Sequence, residues 1–199
     1  MSPFKRIANF LRRGRKRFMR LRERARRGVA AVEFALTLPI WTTMILGTAD
    51  GTYWLLVNEK CDRISYTITD IVTQYQVVTR SNLNDIIQAA TQEMLPFTFA
   101  NNGYVIVSSV YQPTGQNPII EWQYSGGGSL VESSRIGTTG GAPALPNGLT
   151  LNNNDNVIIT EVYYNFTPMF VSSGLFPSQL VYRVAVYKPR LSLLINPPT

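Results

Sequence analysis

The 199-residue chain has no histidine and one cysteine, Cys61. Without histidine there is no imidazole to ligate zinc and none to act as base in a Ser–His or Cys–His pair. One cysteine cannot close an intrachain disulfide, so no disulfide framework holds the fold. An intermolecular bridge stays open to it outside the cytoplasm. No glycine cluster is followed by GK[ST], which excludes that kind of phosphate loop. The run NNNDN at Asn152–Asn156 lacks the glycine and the closing glutamate of an EF-hand loop. It reads as a turn leading into a strand. No nucleophile motif is present, and no two acids can be placed in one site. A Ser–Lys pair using Lys60 or Lys188 is the enzymatic arrangement left, with nothing else behind it. The expectation is a non-enzyme with no cofactor, no metal and no small-molecule substrate.

Acid is also nearly absent from the start of the chain. Residues 1–28 hold 12 Lys/Arg and one acid, Glu23, for a net charge of +11. The remaining residues hold 7 Lys/Arg and 11 acids, for a net charge of −4. The overall charge of +7 therefore describes the N-terminal stretch alone. Residues 3–27 read as a basic amphipathic helix, with Phe4, Ile7, Phe10, Leu11, Phe18 and Leu21 among the arginines. Gly14 counts against one continuous helix. Three readings stand: a leader lying on anionic lipid, a nucleic-acid arm, or a topogenic charge cluster with no specific partner. The first is preferred, so no nucleic-acid partner is expected.

The next stretch is apolar. Val29–Ala49 is 21 residues interrupted by one charge, Glu33. As a helix it is long enough to cross a bilayer core of about 30 Å. Basic residues beside a span remain in the cytoplasm, which places the N-terminus inside and residues 50–199 outside. In a bacterium with two membranes that is the inner membrane and the periplasm. A removable signal peptide fits poorly, because the apolar run is too long and no A-x-A site comes after it. Pro39 suggests a kink within the span. Tyr53 and Trp54 just beyond it suit an interfacial aromatic belt. An acid inside a span is a functional candidate, with a water-reaching edge residue as the plainer option.

Gly28 at the boundary, Glu33 five residues on and Phe34 after it together resemble a type IV prepilin cleavage site. Gly28, Ala30, Val32, Glu33, Phe34, Ala35, Leu38 and Pro39 carry a wider resemblance, over about residues 27–65, to the TadE-like family of tight-adherence pilus proteins. The resemblance implies a membrane peptidase cutting after Gly28, with Val29 as the new N-terminus and Glu33 as the fifth mature residue. It implies a minor pilin or pseudopilin whose partners are the inner membrane, a prepilin peptidase and other pilus assembly proteins or minor pilins. Glu33 would pair with the α-amine of Val29, its own or a neighbour's. Family membership and processing are separate claims. The alternative is an uncut, single-pass, membrane-anchored periplasmic binding module.

Beyond the span, Val57, Cys61, Ile64, Ile68, Ile71, Tyr75 and Val78 recur at alternating spacings of four and three. Such a stripe predicts that the helix continues to about residue 78 and buries one face. Core packing on the chain's own sheet is the preferred reading, with a partner helix as the other. Cys61 on the stripe then reads as a small buried hydrophobe. The threonines at 67, 69 and 73 point to fraying at the far end. Ser81 is the expected cap of a second helix, with Leu83, Ile86, Ile87, Ala90 and Met94 on one face and Pro96 as its end. Strands are expected at Tyr104–Tyr111, Ile119–Tyr124, Val157–Phe166 and Leu180–Tyr187. In the third, Ile158, Thr160, Val162, Tyr164 and Phe166 share a face. Ser125–Gly148, with SGGGS and TTGGAPALPNG, reads as a mobile surface loop, or else a ligand or subunit contact. The expected class is α+β, pilin-like: a long N-terminal helix continuing into the periplasm and packed on an antiparallel sheet. The expected domains are a leader (1–28), a span (29–49) and a periplasmic α+β domain (50–199).

Overall fold

The computed structural model describes residues 3–170 and 177–199, with side chains from residue 28 onward. The element order is α1 (Pro3–Val72), α2 (Arg80–Thr91), α3 (Phe99–Asn102), β1 (Gly103–Tyr111), β2 (Ile119–Gly126), β3 (Asn156–Phe166) and β4 (Gln179–Tyr187). Short 3-10 turns occupy Gln92–Met94 and Pro146–Gly148. The fold is α+β. The chain divides into two compact units, Met1–Thr48 and Ala49–Thr199, and α1 contributes to both.

The backbone of α1 is helical through Gly14, the residue that counted against one continuous helix. One glycine costs only about 1 kcal/mol, which its helix-forming neighbours offset. At the other end α1 stops at Val72, so Tyr75 and Val78 of the predicted stripe are not helical. There Thr69 and Thr73 turn their hydroxyls back onto the carbonyls of Ser65 and Asp70, and the Thr73 carbonyl accepts the Arg190 amide at 3.0 Å in place of a further helical N–H. Gln74 and Tyr75 then donate to Ile71 and Val72 in tight i−3 bonds.

The next helix is capped by Thr79, not Ser81. The Thr79 side chain accepts from the Asn82 amide at 3.1 Å, and the Asn82 side chain accepts from the Thr79 amide at 3.3 Å. This is a capping box with asparagine in the place usually held by Glu or Gln. Ser81 lies inside the helix and is exposed. Leu83, Ile86, Ile87 and Ala90 are buried, as is Met94 in the 3-10 turn. The helix ends at Thr91, five residues before Pro96; the 3-10 turn and a cis Leu95–Pro96 peptide lie between.

All four strands are antiparallel, in the order β2-β1-β3-β4. Alternation along β3 sends Ile158, Val162, Tyr164 and Phe166 to one face. There they join Val57, Cys61, Ile64, Ile68 and Val72 of α1, with Leu83 and Ile87 of α2, in the main core. Each large side chain fully buried this way stabilises the fold by roughly 1.5–3 kcal/mol. The opposite face is not bare. Val110, Ile120, Val157 and Ile159 form a second core with Ile136 and Leu151.

Ile136 comes from the segment expected to be a mobile surface loop. Instead that segment is a flap over the second face of the sheet. It is stitched to β2 through Ile120 N–H to Gly141 O at 3.1 Å and Gly140 N–H to Ile120 O at 2.7 Å. The glycines that suggested mobility permit close packing. A Cβ on Gly128 would lie 2.2 Å from the Gly103 carbonyl oxygen. The C-terminal tail closes the other face: Leu194 O accepts from Ser109 Oγ at 2.6 Å and from Trp122 Nε1 at 2.8 Å.

Candidate functional site

Residues 28–48 form a helix whose apolar side chains are unburied. Val29, Val32, Phe34, Leu36, Ile40, Trp41, Met44 and Ile45 are each 58–71% exposed. An apolar surface of this extent on a helix marks an interaction with a membrane or another protein. It is the one helix among the described residues long and apolar enough to cross a membrane, with a mean hydropathy of 1.7 in its most apolar window. Pro39 lies within it and withdraws the N–H that the Ala35 carbonyl would accept. Nearby threonines bond to the helix backbone. Thr43 Oγ1 donates to Pro39 O at 2.8 Å, and Thr42 Oγ1 donates to Leu38 O and Pro39 O at 3.0 Å. Their hydroxyls thus need no water.

Gly28 is exposed, with nothing within 4 Å of where a Cβ would stand. Val29, Glu33 and Phe34 are exposed on the same helix. Val29 and Glu33, four residues apart, share a helix face. These residues form one group. The stripe residues form another, in the second unit. There Val57, Cys61, Ile64 and Ile68 are fully buried, Ile71 and Tyr75 are half-buried and Val78 is buried. Burial pushes the Cys61 thiol up to about 12; the Arg183 guanidinium opposes the shift and Asp62 adds to it. The thiolate, the nucleophilic form, is therefore disfavoured.

Three polar features had no place in the sequence reading. Arg183 on β4 reaches α1, donating to Asp62 Oδ2 at 3.1 Å and Asn58 Oδ1 at 2.5 Å. Glu161 on β3 is fully buried beneath the flap. It accepts from Ser134 Oγ, from Arg135 N–H and Tyr163 OH at 2.9 Å each, and from Tyr182 OH at 3.1 Å. The Arg135 guanidinium carbon lies 4.1 Å from the Tyr182 ring centre, a cation–π contact. Asp50, also fully buried, accepts backbone N–H groups from Met169 and Phe170. Only Asp50 left a trace in the sequence, as the sole charge between Glu33 and Glu59.

Both lysines outside the N-terminal stretch are engaged. Lys60 Nζ donates to Glu93 O at 2.7 Å, and Lys188 pairs with Asp155 at 2.9 Å. Among the described residues no group of three acids, cysteines or histidines could hold a metal. A cleft of about 400 Å³ lined by Thr91, Leu95, Phe97, Phe99 and Gly127 contains no titratable side chain. The chain has no match among curated proteins and none among solved structures. The exposed helix and the first turns of the buried stripe do have one: residues 28–67 match the model of the family described as TadE-like protein, and they make up a TadE-like segment of this chain.

Proposed function

We propose that the protein is a minor pilin or pseudopilin in the assembly of a tight-adherence pilus, held in the inner membrane by residues 29–49. The observation that carries this reading is the coincidence of the TadE-like match with a helix that its own chain leaves unburied. The basic stretch before Gly28 keeps the N-terminus in the cytoplasm and sends residues 50–199 to the periplasm. A prepilin peptidase then cuts between Gly28 and Val29. That bond lies within α1, so cleavage requires local unwinding, and glycine lowers its cost by roughly 0.5–1 kcal/mol relative to alanine. The freed amine of Val29 and the Glu33 carboxylate share a face. Pairing them, within one subunit or between neighbours, offsets the expense of two charges in a low-dielectric medium. Assembly proceeds by packing of the exposed apolar helices.

Intact mass and N-terminal sequencing of the protein from its native membrane test this. A chain beginning at Val29 supports processing; a full-length chain refutes it and leaves an anchored module. Glu33→Gln is expected to be cut and then to assemble poorly. Normal assembly of that variant removes Glu33 from the mechanism.

A further inference from the structure

Between Glu33 and Glu59 the chain carries one charge, Asp50, and its side chain is fully buried. The carboxylate accepts the Met169 amide at 2.9 Å and the Phe170 amide at 3.2 Å. A buried carboxylate needs such donors, because a dry, unpaired charge is among the costliest arrangements in a fold. The contact also fastens the segment after β3 to the turn of α1 that comes directly after the apolar run. The Phe170 ring stacks on Tyr53 with centroids 6.2 Å apart, and Phe97 meets Tyr53 edge-on at 5.9 Å.

Two segments far apart in sequence, Leu95–Thr98 and Thr167–Phe170, therefore converge on one turn of α1. Neither contains a charged residue. Leu95 is 65% exposed, Met169 67%, Phe170 47% and, on α1 itself, Leu55 61%. The first charged contacts lie further along the helix, where Lys60 donates to the Glu93 backbone carbonyl, Asp62 pairs with Arg183 and Arg63 pairs with the Glu93 carboxylate. Lys60 is seven residues past Tyr53, about 10 Å at 1.5 Å per residue. The surface is thus graded, apolar around Asp50–Leu55 and ionic around Lys60–Arg63.

We infer that this apolar rim lies in the interfacial zone of the bilayer. The inference rests on residues 29–49 spanning the membrane. Lipid is the occupant that fits. The rim continues the span without a break in sequence. Its Tyr53 is of the amphipathic aromatic class favoured at headgroup level, and Phe97 and Phe170 are apolar rings of the kind interfacial elements bury. It offers a partner protein no charge to pair with, whereas neutral Leu, Met and Phe suit the headgroup–acyl boundary. Asp50, supplied with backbone donors, does not draw water to the junction.

The test uses the full chain carrying Cys61→Ala, reconstituted in phosphatidylethanolamine–phosphatidylglycerol vesicles. Spin labels are placed singly through Leu95→Cys and Met169→Cys. Leu36→Cys in the span and Val131→Cys, at a site 81% exposed, serve as references. Collision with oxygen, which partitions into lipid, is compared with collision with a water-soluble nickel chelate. The oxygen-to-nickel ratio at 95 and 169 is expected to exceed that at 131 several-fold and to approach that at 36. A lipid-like value at 36 with water-like values at 95 and 169 overturns the rim alone. A water-like value at 36 overturns the spanning reading and the rim with it. Weak collision with both reagents at 95 and 169 means that protein covers the rim, which overturns lipid as its occupant.

Discussion

Replacing Glu161 with alanine should free the flap from the sheet. The carboxylate is fully buried and takes hydrogen bonds from Ser134 Oγ, Arg135 N–H, Tyr163 OH and Tyr182 OH. Two of these donors have a second choice. Arg135 N–H also reaches Tyr163 OH at 3.2 Å, and Tyr163 OH also reaches Ser133 O at 3.1 Å. Ser134 Oγ and Tyr182 OH are left seeking new acceptors. Both are only half-buried, so each costs toward the low end of the about 1–3 kcal/mol of a buried orphaned donor, partly offset because the carboxylate's own desolvation disappears with it. The expected loss for Glu161→Ala is therefore about 1–3 kcal/mol. Glu161→Gln keeps the shape but turns an NH₂ toward O–H donors, and about half that loss is expected. Guanidinium unfolding of the full chain in detergent, followed by near-ultraviolet circular dichroism, measures the loss. Hydrogen exchange at residues 134–137 reports the flap. A change below about 0.5 kcal/mol, the usual scale of a neutral surface substitution, with the flap amides still protected, would refute the view that Glu161 holds the flap.

Tyr163 and Tyr182 provide a pH signature. Burial first, and then the neighbouring Glu161 charge and its hydrogen bonds, raise both phenols above their ordinary value. Because the folded pKa is raised, their contribution is whole below the unfolded value of about 10 and is lost as pH climbs above it toward the folded value. Ultraviolet titration should find phenols that ionise only with unfolding; complete ionisation of a still-folded chain near pH 10 contradicts this. Cys61, buried and with its thiol pushed up to about 12, should resist maleimide at pH 8 in the folded protein and react fully in denaturant. Gly128→Ala sets a Cβ against the backbone oxygens of Gly103, Phe99 and Ala100, and should cost about 1–3 kcal/mol by overpacking; an unchanged melting temperature argues against the close approach. Thr79→Ala should cost about 1 kcal/mol, while Ser81→Ala should change stability by less than about 0.5 kcal/mol, which separates the two candidate caps by thermal melting.

The four strands are close to where their Val, Ile and Tyr runs lie, because a half-buried strand writes its period of two into the sequence. β1 begins one residue earlier than expected and β2 ends two residues later. The buried face of α2 was likewise readable from its 3.6-residue period. The cap of that helix was not. Thr79 and Ser81 are both hydroxyl residues, and the choice turned on Asn82 bonding back to Thr79. The stripe ran past the end of α1 for a similar reason: Val78 is buried although it is not helical, so apolar spacing could not mark where the helix stops.

The sequence by itself determined the basic stretch, the long apolar helix after it and the α+β order of elements. These are properties of contiguous residues, whose charge, length and periodicity act locally. The tertiary structure alone decided that both faces of the sheet are covered, that Gly127 and Gly128 allow close packing, and that Glu161 is held by residues from three separate segments. It also decided that Asp50 accepts hydrogen bonds from amides well over a hundred residues away. A loop's composition records the backbone freedom it needs, whereas the surface it covers is chosen by long-range burial and by the partners that buried charges require.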